Sequence, residues 1–206
     1  QLYSSLKKIS LMELVIHRVN LIKELKKIPK EDGCEIDIRT DGSKLILHHD
    51  PFKKGDNFLD YLDEYKNGTL VLNIKESGIE DLVIQEVKKR NINSYFLLDV
   101  EFPYLFSSTE KGIKNVAVRF SEKEPIENAK LFHGKADWVW VDTITQSPID
   151  LSNLEVLKKY KLCFVCPSRW GRESEINTFI NSLKEYDLYE ASSIMTSLKN
   201  ANDFYI

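Results

Sequence analysis

The sequence predicts an α/β fold, a compact (β/α)8 TIM barrel, from three observations. Short β-like runs alternate with helix-like stretches along all 206 residues, and such alternation means parallel strands joined by helical crossovers. Eight or nine strand-like runs can be counted, and a barrel needs at least about 200 residues, so the chain is just long enough for one with little insertion. Polar residues recur at strand ends throughout: His17, Glu35 and Asp37, His49, Asn73 and Lys75, Asp99, Arg119, Asp142, Ser168 and Arg169. A barrel draws its site from many strand ends, whereas the rival open doubly wound sheet concentrates it at a switch point.

The elements follow in order. Residues 13–17 (ELVIH) form the first strand, and residues 20–27 carry Leu21, Leu25 and Ile28 at helical spacing. Residues 34–39 and 45–49 are neighbouring strands, because only the turn Thr40-Asp41-Gly42-Ser43 separates them. Residues 57–66 read as a helix with Phe58, Leu59, Leu62 and Tyr65 on one face, and 70–75 as the next strand. An amphipathic helix over 79–89 leads to a strand within 94–100, and a further helix begins near 102–106. Strands at 116–120, 138–141, 162–166 and 193–196 alternate with helices at 125–132, 151–160 and 173–186; a last turn starts near Leu198.

Composition narrows the function. A net charge of −3, with no basic stripe interleaved with aromatics, gives no electrostatic case for nucleic acid. No apolar run approaches the roughly 18 residues of a membrane span, and no signal peptide is visible. Three cysteines, an odd count, point to a reducing compartment and a cytoplasmic location. Residues 12–206 read as one domain, with 1–11 as a leading segment or tag remnant ahead of Met12. Oligomeric state is open.

The chemistry concentrates in residues 34–51. Glu35 and Asp37 are two apart in an apolar run, so on a strand they share a face. The following turn and strand return His48, His49 and Asp50 to them. Two carboxylates and an imidazole can hold a hard divalent ion and move a proton. The plainer alternative makes Glu35 and Asp37 solvent-facing residues of an edge strand, paired with Arg39 or Lys44. By alternation His48 points away from His49, toward packing or solvent.

His17-Arg18, Glu35-x-Asp37, Thr40-Asp41-Gly42 and His49-Asp50, in this order, resemble the glycerophosphodiester phosphodiesterase family. Its motifs read HR, E-x-D, T-x-DG or TDG, and HD. Asn73-Ile74-Lys75 falls where the family has E-x-K. The resemblance is specific over residues 14–75 and general, in strand order and spacing, beyond them. It implies a (β/α)8 barrel related to the phosphatidylinositol phospholipases C, and a hydrolase that uses a divalent metal and two histidines on a phosphodiester. By position it implies His17 and His49 as the acid–base pair and Arg18 and Lys75 as phosphate contacts. Glu35, Asp37 and Asn73 would be the ligands of Mg²⁺ or Ca²⁺. It further implies attack by a hydroxyl of the substrate itself, through a cyclic phosphate. The expected substrate is a small soluble glycerophosphodiester-like or sugar- or nucleotide-linked diester.

The chain departs from the family pattern in several places. Val19 stands for the usual Gly, the Pro-Glu-Asn-Thr motif is missing, and Phe52 to Asp56 replaces a longer insertion. Met195-Thr196-Ser197 stands where the family often has Thr-Asp. Asn73 replaces a carboxylate and can ligate without charge, which lowers metal affinity; Glu76 is nearby but of opposite parity, so Asp99, at the end of the next strand, is the better stand-in. Two other readings stay open. One is a degenerate barrel that binds a phosphorylated ligand without turnover. The other is a phosphodiesterase with an Arg or Lys beside Glu35 and Asp37 in place of the metal.

Remaining candidates have weaker signals. Arg119 and Arg169 lie near strand ends and can assist an anionic substrate. Trp138 and Trp140 share a face with Asp142, and either line the mouth, where Trp140 would contact substrate, or fill the barrel. Cys163-Phe164-Val165-Cys166 has CxxC spacing but no second ligand pair and no helix to open, so these read as core cysteines. His133 falls in a loop-like stretch.

Overall fold

The computed structural model of the chain describes residues 12–190 and 192–204; the expectation for 1–11 falls outside them. Its strands are β1 (Glu13–Ile16), β2 (Gly33–Asp41), β3 (Lys44–Leu47), β4 (Asp56–Asn57), β5 (Leu70–Ile74), β6 (Tyr95–Leu98), β7 (Ala117–Phe120), β8 (Trp138–Val141), β9 (Lys161–Val165) and β10 (Ser192–Thr196). The helices are α1 (Ile22–Leu25), α2 (Phe58–Glu64), α3 (Glu80–Lys89), α4 (Phe102–Glu110), α5 (Glu127–Leu131), α6 (Leu154–Leu157) and α7 (Ile176–Glu185).

Parallel ladders join eight strands in the order β6-β5-β2-β1-β10-β9-β8-β7, as one curled sheet. β3 lies outside this set, antiparallel to β2, with β4 on its far side. The fold is therefore mixed α/β with parallel strands and helical crossovers. It differs from the expected barrel at one seam, where β6 and β7 meet through a single bridge, Leu97 to Val116, rather than a ladder. The reason is local. The Leu97 N–H donates to the Asn115 carbonyl at 2.9 Å, and the Asn115 side-chain amide takes the Tyr95 carbonyl at 3.0 Å. A side chain occupies the place of the next rung.

Strand alternation sorts the core into two parts. Val15, Val71, Phe96, Leu98, Ala117, Trp138, Trp140, Cys163, Val165 and Met195 pack together inside the curl. Their neighbours, such as Ile16, Ile36, Leu72, Val118 and Ile194, face out against the helices. Trp138 and Trp140 thus fill the interior; the Phe96 ring stacks on Trp138 at 4.4 Å. Cys163 and Cys166 are buried free thiols, as expected of core cysteines, and burial pushes the Cys163 thiol up to about 12.

At the N-terminal end of the sheet the Glu13 carboxylate accepts from the Thr69 N–H and hydroxyl. Gly33 lies against this point, where a Cβ would come within 2.2 Å of the Thr69 carbonyl oxygen. Several helices are shorter than predicted, α1 and α6 most of all. The first turn expected of 151–160 is instead a turn in which Asp150 Oδ1 accepts from the Ser152 N–H at 2.7 Å, a local alternative to the helix. α1 has no side-chain cap at Leu21. Asn57, by contrast, caps α2 by accepting from the N–H groups of Leu59 and Asp60. No helix among the described residues is long and apolar enough to cross a membrane.

Candidate active site

The inner face changes character along the strands. Its lower positions are apolar; its C-terminal positions are charged or hydrogen-bonding. Glu35 and Asp37 come from β2, Asn73 from β5 and Arg119 from β7. His17, Lys75, Asp99 and Asp142 are each the first residue past a strand. β3 returns antiparallel from the turn after β2 and brings His49 back to the same level, with the His48 N–H donating to the Asp37 carbonyl at 3.0 Å. These residues, with Arg18, Trp140, Arg169 and Trp170, line one cavity of about 190 Å³. A larger cavity of about 570 Å³ lies beyond the β2–β3 turn, against Arg39, Phe52, Lys53 and Lys54, and contains none of them.

The two carboxylates are buried, at 1% and 0% exposure for Glu35 and Asp37, which removes the edge-strand reading. Buried carboxylates need partners, and each is bound on more than one side. Glu35 Oε2 accepts the Arg18 N–H at 2.8 Å and lies 3.9 Å from His17 Nε2, while Oε1 accepts from Asn73 Nδ2 at 2.8 Å. Arg18 holds a left-handed φ of 55° to aim that N–H, a conformation uncommon outside glycine. Asp37 and Asn20 bond reciprocally: Nδ2 donates to Oδ2, and the Asp37 N–H donates to Asn20 Oδ1, both at 2.8 Å. Lys75 Nζ stands 3.3 Å from Asp37 Oδ1, and Arg18 Nε 3.8 Å from Oδ2.

Burial, and then the charge of Asp37, push the Glu35 carboxyl up to about 7. Burial lowers His17 to about 4, helped by the cations of Arg169 and Arg18. His17 is thus a neutral imidazole near pH 7. His49 is more exposed, and its Nδ1 lies 2.8 Å from Asp50 Oδ1.

Most of the expected residues meet in this cavity: His17, Arg18, Glu35, Asp37, His49, Asn73, Lys75, Arg119 and Trp140 all line it. Arg119 does so with its donors engaged, by Glu124 at 2.6 Å, Asp99 at 2.8 Å and Asp142 at 2.9 Å. Asp99 consequently pairs with Arg119 and approaches Lys75 at 3.8 Å, rather than completing the Glu35–Asn73 set. His48 stays out of the cavity and accepts the Asp50 N–H at 2.9 Å. His133 is exposed, with its ring edge toward Tyr160. The sequence reading missed Asn20, whose one signal is its place three residues after His17. It also missed Trp170, whose Nε1 donates to Asp142 Oδ1 at 2.8 Å and whose ring lies under the Arg169 guanidinium at 5.2 Å.

Among solved structures, the chain is similar to two proteins described as glycerophosphoryl diester phosphodiesterases. For the one from Agrobacterium tumefaciens the TM-score is 0.66, with 9% identity over 94% of this chain and 97% of that one. For the one from Parabacteroides distasonis the TM-score is 0.60, with 12% identity over 93% of this chain and 85% of that one. At such identities the likeness is one of fold. No protein-family model matches the sequence, and no curated protein matches it.

Proposed function

We propose that the chain is a phosphoric diester hydrolase, built as a single (β/α)8 barrel over residues 12–206, acting on a small soluble glycerophosphodiester-like or sugar- or nucleotide-linked diester. One observation carries the reading: His17, Glu35, Asp37, His49, Asn73 and Lys75, from separate strand ends, line one cavity. The fold shared with the two phosphodiesterases supports it, as does the motif order over residues 14–75. The buried free thiols fit a reducing, cytoplasmic setting.

The residues divide the work. Neutral His17 takes the proton of the attacking hydroxyl, on the substrate or on water. His49, backed by Asp50, gives a proton to the departing oxygen. Arg18 and Lys75 meet the phosphate charge. If the attacking hydroxyl belongs to the substrate, the product is a cyclic phosphate, which a second passage with water opens.

The donor set fits a hard divalent ion. Asn73 Oδ1 is buried with no hydrogen-bond partner, and Asp37 Oδ1, on the residue directly opposed to it across β2 and β5, has no hydrogen bond and faces the Lys75 ammonium at 3.3 Å. Buried oxygens of this kind suit Mg²⁺ or Ca²⁺. Among the described residues no three His, Cys, Asp or Glu side chains are grouped to hold an ion; on this reading the Asn73 amide oxygen would be the third donor beside Glu35 and Asp37. A bound metal would neutralise charge on the phosphodiester oxygens. A metal-free version has its own support, because Lys75 and Arg18 already face Asp37.

The test is hydrolysis of a bis-aryl phosphodiester. His17→Ala and His49→Ala should each cut kcat by about 100-fold or more while thermal unfolding stays cooperative; full activity in either overturns its role. EDTA should inhibit, with rescue by Mg²⁺, Ca²⁺ or Mn²⁺, and indifference to EDTA selects the metal-free version. Phosphorus NMR over a panel of glycerophosphodiesters and nucleotide-linked diesters identifies the substrate.

A further inference from the structure

Two of the residues assigned to the chemistry stand where the regular hydrogen bonding ends. The β2–β3 ladder closes at Ile38 opposite Leu47, and the β2–β5 ladder at Ile38 opposite Ile74. One more bond continues each side: the His48 N–H to the Asp37 carbonyl, and the Lys75 N–H to the Ile38 carbonyl at 3.1 Å. Beyond these, His49 and Lys75 leave β2 on opposite flanks. β3 pairs only with β2 and β4, so no parallel ladder holds the His49 side.

Arg39, the next residue of β2, spans this gap. It shares a strand face with Glu35 and Asp37, but it is not part of the cavity wall. Its Nε donates to the His49 carbonyl and its Nη1 to the Lys75 carbonyl, both at 3.0 Å. The guanidinium is planar, with donors at a fixed spacing. A single rigid group therefore ties together the backbones that carry an imidazole and an ammonium. A lysine ammonium is a single point on a flexible stem, so it fixes no spacing between the two carbonyls.

We propose that Arg39 is a positioning residue that sets the spacing of His49 from Lys75 by holding both backbone carbonyls. Its catalytic consequence rests on the phosphodiesterase reading above; its geometric consequence does not. Reacting groups displaced by about 1 Å can lose about 100-fold in rate. Carbonyls released at the surface can find water, so the cost falls on geometry more than on folding.

Two measurements test this on wild type, Arg39→Ala, Arg39→Lys and the control Asn67→Ala. Asn67 Nδ2 also holds two backbone carbonyls, those of Ile28 and Pro29, away from the cavity. Backbone ¹⁵N relaxation should show order parameters at residues 49, 50, 75 and 76 falling from about 0.85 toward 0.6 in Arg39→Ala. They should fall less in Arg39→Lys and be unchanged in the control. Unchanged values in Arg39→Ala overturn the proposal, whether or not the wild type turns over any diester. With bis-aryl phosphodiester, Arg39→Ala should lose about 10- to 100-fold in kcat with KM within about threefold. Millimolar guanidinium should restore part of that loss. An unchanged kcat, or a loss confined to KM, overturns it. A wild type inert on every diester, together with a loosened Arg39→Ala, refutes the phosphodiesterase reading and supports the positioning of the two backbones.

Discussion

Replacing Lys75 with Met tests how the site's charge is held. Asp37 is buried, and its Oδ1 faces the Lys75 ammonium at 3.3 Å. At that separation an effective dielectric constant of about 20 gives an attraction of about 5 kcal/mol. Three effects reduce the net loss. The ammonium no longer has to be desolvated, Asn20 still bonds Asp37 Oδ2, and Arg18 remains 3.8 Å away. The expected destabilisation is about 3 kcal/mol, at the lower end for breaking a buried pair from one side. Urea unfolding at pH 7.5 in EDTA measures it. A loss below about 1 kcal/mol would show that the pair does not hold the Asp37 charge. Repeating the titration in Ca²⁺ separates the two versions of the mechanism. A metal at 100 times its Kd contributes about 2.7 kcal/mol, and the variant, having no ammonium at Asp37, should gain more from it than the wild type. An equal gap in EDTA and Ca²⁺ would remove Asp37 from the metal ligands.

Two further perturbations read the same cavity. His17 has its folded pKa, about 4, below the ordinary value of 6.5, so its contribution to stability is complete above pH 6.5 and is lost as pH falls toward 4. Glu35 is shifted upward, so in EDTA it disfavours folding increasingly as pH rises from about 4.5 through 7. The two effects oppose each other over nearly the same range, so in EDTA the urea midpoint of His17→Gln should fall as pH rises from about 4.5 to 7, and that of Glu35→Gln should fall as pH drops from about 6.5 to 4; a profile unaltered by either change refutes the two environments. Asn73→Asp should tighten Ca²⁺ or Mg²⁺ binding in calorimetry at least about tenfold, since it adds charge to the ligand set. It should weaken the metal-free fold, because the bond from Asn73 Nδ2 to Glu35 is replaced by carboxylate repulsion. An unchanged metal affinity excludes residue 73 as a ligand.

The strands were legible because each is a short apolar run with a polar residue at its end, and all the predicted runs reappear as β1 to β3 and β5 to β10. Helix boundaries were less so. Amphipathic spacing over 151–160 does not reveal that Asp150 turns the chain back on itself before α6 begins. The candidate site was legible where side-chain identity suggests chemistry: His17, Glu35, Asp37 and His49, which line one cavity. It was not where function lies in what a side chain reaches. Arg39 could be read only as a partner for Glu35 or Asp37, yet it bonds two carbonyls. Asn20 carries no chemical signal at all until its amide is seen against Asp37.

Arg119 shows how the missing ladder and the site bear on each other. Its guanidinium bonds Asp99 at the end of β6, Asp142 at the end of β8, and Glu124 in the loop after its own strand. It therefore crosses the β6–β7 seam at the level of the cavity, above the one bridge that joins those strands. Its charge is met by three carboxylates, and its donors are spent on holding the mouth together. Arg169 is in a different position. Its guanidinium lies over Trp170, and its charge helps keep His17 neutral. Trp170 in turn is fixed by Asp142, the same carboxylate that takes Arg119. On the proposed reading, Arg119 braces the rim, and the charge of the substrate phosphate falls to Arg18, Lys75 and Arg169.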